Sequence, residues 1–122
     1  MSKITVGALV AALGSLAPAL ASAADAAQVE RGKAVFTYWC ATCHAGTVWE
    51  NGRTLPGTTS LAVKYKGTST SPVLEERTDL LPDYVKAVIR NGIKGMPTFR
   101  KTEISASDAD AIGAYIARNA KN

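Results

Sequence analysis

The sequence predicts a small all-α domain. Apolar residues recur at helical spacing in three separate segments, and no segment alternates apolar with polar residues as a half-buried strand does. Gly, Pro, Ser and Thr gather between the periodic segments, as connections do. The chain has 122 residues, 14 Lys or Arg against 10 Asp or Glu, and no internal repeat.

Residues 1–24 read as a signal peptide. Lys3 supplies the charged start, an apolar run extends from Ile4 to Leu20, and Ala21-Ser22-Ala23 precede Ala24, with cleavage after Ala23 or Ala24. Gly7, Gly14 and Pro18 interrupt the run and argue against an uncleaved membrane anchor. The expected address is therefore the periplasm, with no stable membrane insertion after cleavage. Residues 25–122 then make one domain with one modest core, marginal unless something else stabilises it. Losing Lys3 leaves a net charge of about +3, too little to steer partners strongly. No run of bases interleaved with aromatics points to nucleic acid.

The first predicted helix spans about Ala26 to Trp39, with Val29, Val35 and Phe36 on one side and Glu30, Arg31 and Lys33 on the other. Gly32 in its middle costs roughly 1 kcal/mol relative to alanine. It is either a tolerated glycine or the mark of a closely crossing helix. From Ala45 to Thr78 the periodicity fails, apart from one short helix expected around Thr59 to Tyr65. So long an irregular stretch argues against a compact domain unless a bound group gives it a surface to pack on.

Leu81-Pro82-Asp83 opens a second clear helix, with proline in its first turn and Asp83 near its positive end. Val85, Val88 and Ile89 face inward, and Asn91-Gly92 ends it. In the loop that follows, Gly95 and Pro97 bracket Met96. Ser105 with Asp108 three residues on resembles a capping box and starts a terminal helix striped by Ala109, Ile112, Tyr115 and Ile116.

Cys40-Ala41-Thr42-Cys43-His44 is the segment that carries chemistry. Two thiols three apart with a histidine directly behind form the attachment pattern of a c-type haem, the thiols forming thioethers and His44 binding iron. With the porphyrin tethered twice, ligation by His44 becomes nearly intramolecular. Zinc would need further ligands, and the chain has no other Cys or His. A thioredoxin-like pair would need a βαβ setting, and a Cys40–Cys43 disulfide would leave His44 unexplained.

Met96 is the one methionine remaining after residue 1–24 removal, and its thioether is the predicted sixth ligand. A ligating histidine needs its Nδ1–H held by an acceptor. The carbonyl of Pro56 is preferred for that task over Pro72. Arg53 is the predicted propionate partner, Trp49 the next candidate, and Trp39, Tyr65 and Tyr115 are further aromatics available to the pocket. Lys94, Arg100 and Lys101 flank the methionine loop and predict a basic rim facing an acidic partner.

These features resemble the small class I cytochromes c over nearly the whole of residues 25–122. The marks are Gly32 and Phe36 four apart, the Cys40–His44 pentad, Met96-Pro97 and the aromatic Tyr115 in the last helix. The resemblance implies that the first and last helices cross at the glycine and aromatic positions, that loops wrap one covalently bound haem, and that His44 and Met96 ligate its iron. Leu81 to Gly92, followed by Met96-Pro97-Thr98-Phe99, is also similar to the cytochrome subunit of p-cresol methylhydroxylase-type flavocytochromes. The segment from Thr47 to Thr70 is longer than in that subunit. The likeness implies a flavoprotein donor that oxidises alkylphenols.

The expected function is a periplasmic monohaem carrier, not an enzyme. It takes single electrons from a dehydrogenase and passes them to an oxidase or another cytochrome. The alternative is a haem enzyme or gas-binding sensor with an open sixth position. The sequence leaves open whether the chain is a free shuttle or the electron-accepting subunit of a complex.

Overall fold

In the computed structural model, residues 17–46 and 55–121 are described. Five α-helices and one 3₁₀ turn follow in order: α1 (Ala17–Trp39), α2 (Ala41–His44), α3 (Pro56–Lys64), the 3₁₀ turn Leu74–Glu76, α4 (Pro82–Asn91) and α5 (Ala106–Ala117). Among these residues there is no strand, only one isolated bridge between Ile93 and Met96. The all-α expectation is met.

The helices begin and end for legible reasons. Ser105 caps α5 by accepting a hydrogen bond from the backbone N–H of Asp108 at 3.1 Å, satisfying a donor that the first turn leaves free. Pro82 opens α4, where its missing N–H costs nothing, and Gly92 closes it at φ +66 with its N–H on the Val88 carbonyl. Two boundaries differ from expectation. α1 is already helical at Ala17, the first described residue, because an alanine-rich run of high helix propensity precedes the predicted start. α3 starts at Pro56, since a proline at N1 is preorganised for a helix as readily as for a turn.

The predicted signal peptide, residues 1–24, falls mostly outside the described residues, and α1 does not test it. Among the described residues no helix is long and apolar enough to cross a membrane.

α1 and α5 cross, and Gly32 makes the crossing possible. A Cβ there would run into the Ala111 carbonyl and come within 2.7 Å of the Tyr115 Cβ. One turn on, Phe36 packs against Tyr115 with ring centroids 5.6 Å apart. Phe36, Ile104, Ile112 and Ile116 are the largest fully buried side chains, each contributing about 1.5–3 kcal/mol by leaving water. Arg31 ties the outside of the crossing to Asp108 at 2.8 Å. α4 packs on α5, with Lys86 reaching Asp110 at 2.9 Å. This three-helix frame holds α2, the Met96 loop and the irregular segment around one opening.

Candidate functional site

The pentad sits at the end of α1. Cys40 accepts the next turn, because the N–H groups of Cys43 and His44 both point to its carbonyl, so α2 continues α1 after a break and carries His44 forward. Cys40 is buried and Cys43 exposed, both as free thiols. Burial, with Cys43 adding to it, pushes the Cys40 thiol up to about 11. Burial also lowers His44 below its usual value, so its imidazole is neutral near pH 7, the form that binds a metal.

A single cavity joins these groups to the methionine loop. It encloses about 740 Å³ of empty space, counting the solvent at its mouth, and Cys40, His44 and Met96 all line it. Leu61, Leu74, Leu80, Val85 and Val88 build its walls, with Ile112 and Ile116 of α5 at the back. Met96 is presented by a tight turn in which its N–H bonds the Ile93 carbonyl at 2.9 Å. Lys94 in that turn holds φ 52, a left-handed conformation rare for a side chain of its kind.

The structure brings together Cys40, His44 and Met96, 56 residues apart in sequence at the extremes, and separates other predicted site residues from them. Pro56 does not hold His44. It is exposed at the start of α3, its carbonyl accepts the Ser60 hydroxyl at 2.9 Å, and His44 Nδ1 is buried without a hydrogen-bond partner. The neighbour of the imidazole is Gly57, where a Cβ would fall 2.6 Å from Cε1 and 2.7 Å from Nδ1. The proline was near the right place, but helix formation turned its carbonyl along α3. Arg53 and Trp49 lie outside the described residues. Tyr65 lines the cavity, whereas Trp39 packs on Phe99, with centroids 5.9 Å apart, and Tyr115 belongs to the helix crossing.

Of the predicted basic rim, Arg100 is tied to Glu103 at 3.0 Å, while Lys94 and Lys101 are exposed. The cavity mouth itself is apolar, with Tyr84 50 % and Ile93 44 % exposed. Sequence reasoning missed Gly57 and Arg77, the latter a buried cation in the cavity lining. Only the Pro56-Gly57 pair signalled the first, and it reads equally well as a turn. Nothing local marked Arg77, a charged residue in an irregular stretch.

The residues fit a haem: a largely apolar cavity lined by an orphaned neutral imidazole and a thioether, with two thiols at the attachment spacing beside it. A helical frame crossing at Gly32 with these groups in one cavity defines a class I c-type cytochrome, a haem electron-transfer protein. The chain belongs to the family described as cytochrome c oxidase, cbb3-type, subunit III, which matches residues 27–116. Comparison with curated proteins and with solved structures found no match.

Proposed function

We propose that the chain is a periplasmic monohaem carrier that accepts single electrons from a dehydrogenase and passes them to an oxidase or another cytochrome. In this reading Cys40 and Cys43 would attach one haem c covalently, and His44 and Met96 would hold its iron. The observation that carries the reading is the shared cavity: Cys40, His44 and Met96 come from two distant parts of the chain and line the same apolar space. The similarity of Leu81 to Phe99 to the p-cresol methylhydroxylase-type cytochrome subunits favours a flavoprotein donor that oxidises alkylphenols. The family's association with cbb3-type cytochrome c oxidase favours a terminal oxidase as acceptor.

A bound haem supplies reversible one-electron chemistry at iron. The chain's own residues set the conditions for it. His44 is kept neutral by burial and so offers a lone pair at physiological pH. The Met96 thioether, being soft, favours the reduced state and raises the potential. The apolar walls exclude water, which keeps the site's polarity low. Were His44 and Met96 both to bind the iron, no ligand position would remain for a substrate, which supports carriage over catalysis.

Absorption spectroscopy of the purified haem protein tests the reading. The ferric form is expected to show the weak long-wavelength band of thioether–iron ligation, and the ferrous form to take up carbon monoxide poorly. Met96→Ala removes the band and allows rapid carbon monoxide binding. A wild type lacking the band and binding carbon monoxide readily overturns the carrier model in favour of an open-site haem protein.

A further inference from the structure

Residues 68–80 have no helix beyond the 3₁₀ turn Leu74–Glu76, yet they supply Leu74, Arg77 and Leu80 to the cavity wall. The segment is braced within itself. The Ser71 hydroxyl donates to the Glu76 carboxylate at 2.8 Å and accepts the Val73 N–H at 3.1 Å, and Arg77 pairs with Asp79 at 2.6 Å. What fastens it to the helical frame comes from the far end of α5 and the residues after it. Arg118 Nη2 and Asn119 Nδ2 both donate to the Glu75 carbonyl, at 3.1 and 3.0 Å. The Lys121 N–H donates to the Thr78 carbonyl at 2.9 Å, and the Tyr115 hydroxyl donates to the Glu75 carboxylate. Arg118, Asn119 and Lys121 are all exposed. Just before the segment, Gly67 holds φ +80, and nothing lies within 4 Å of the place a Cβ would take.

We propose that residues 68–80 form a lid on the cavity that opens as one unit about Gly67, with Arg118, Asn119 and Lys121 as its latch. A glycine in open space absorbs a large change of backbone angle without a clash, and the start of α4 at Pro82 bounds the moving part on the other side. The braces inside the lid travel with it, so opening leaves them intact. The latch bonds lie at the surface, where water replaces a lost partner and each bond has a small net worth. Val73 beside Gly46, and the Arg77 guanidinium 4.6 Å from the centre of the Tyr65 ring, are further holds that part without orphaning a hydrogen-bonding group. The frame is fastened differently, by the buried Phe36, Ile112 and Ile116 at the α1–α5 crossing. Segments held by surface hydrogen bonds open well below the free energy of global unfolding. Opening the lid withdraws Leu74, Arg77 and Leu80 together and lays one side of the cavity open to a flat apolar group, whichever group it is.

The test uses the whole chain as purified, with a thiol introduced on the lid by Leu80→Cys or on the frame by Ile112→Cys, positions 8 % and 1 % exposed. Iodoacetamide labelling is followed by peptide mass. The lid thiol is expected to react faster than the frame thiol. Asn119→Ala with Lys121→Pro removes two latch donors without touching a buried side chain, and is expected to speed lid labelling about tenfold, the worth of one to two hydrogen bonds, while frame labelling stays the same. Amide hydrogen exchange at Glu76 and Arg77, whose N–H groups close the 3₁₀ turn, checks the same opening without an introduced thiol: both exchange faster in the latch variant, and the α5 amides do not. Lid labelling and exchange unmoved by the latch variant, or lid and frame quickened by one common factor, overturns the proposal. Free Cys40 and Cys43 thiols in the unfolded protein would instead strike the covalent haem reading, and the comparison of lid with frame stands either way.

Discussion

Gly32 of α1 rests directly on the Ala111 carbonyl of α5, so the two longest helices meet backbone to backbone. Helix propensity favours alanine over glycine by about 1 kcal/mol, and packing opposes it here. Gly32→Ala is expected to destabilise the protein by about 1–3 kcal/mol or more, as overpacked cores do. Denaturant unfolding of the haem-loaded protein checks the sign: a stabilising Gly32→Ala would mean that the crossing is looser than this contact requires.

Gly57 plays the corresponding part beside His44. A methyl group there would press within 2.7 Å of both imidazole Nδ1 and the Cys43 carbonyl. Gly57→Ala should therefore displace the His44 ring while leaving α3 intact, since alanine is the better helix former. The measurement is haem content per chain by pyridine haemochrome, together with the midpoint potential of whatever holoprotein forms. Wild-type values for both would show that the imidazole is not confined by this glycine.

Tyr115 gives the alkaline limb of stability a specific cause. Burial first, then its hydrogen bond to Glu75, pushes the phenol up to about 12. A value raised on folding means stability fully present below the unfolded value near 10 and lost as pH rises towards 12. At full extent this is about 2–3 kcal/mol. Tyr115→Phe should remove that slope, and at neutral pH should cost about 1 kcal/mol for the hydrogen bond lost to Glu75. The haem-loaded protein is the right material, because the thiol of Cys40 otherwise titrates in the same region. Matching alkaline unfolding curves for the two proteins would assign the slope elsewhere.

What the chain discloses before folding divides along physical lines. Pro82, Gly92, Ser105 and Asp108 act within one turn of themselves, so α4 and α5 can be read from their own residues. The pentad is also local, and its reading as an attachment site rests on spacing alone. Gly57 and Arg77 act only through contacts made across the cavity, on an imidazole 13 residues back and on a ring 12 residues back, and no local pattern distinguishes them. Pro56 shows the intermediate case. Its position along the chain was informative, but the direction of its carbonyl depended on whether α3 formed.

The methionine loop is bound at both ends. Gly92 closes α4 on Val88, the Phe99 N–H returns to the Ile89 carbonyl at 2.9 Å, and Arg90 grips the Phe99 and Ser105 carbonyls at 3.1 and 3.0 Å. Between those fastenings the turn from Ile93 to Met96 has little freedom to sag or swing. In the proposed ligation, a sulfur mounted on so stiff a bracket would keep its place in both oxidation states of the iron, and a preorganised group would spend little on rearrangement when an electron moves.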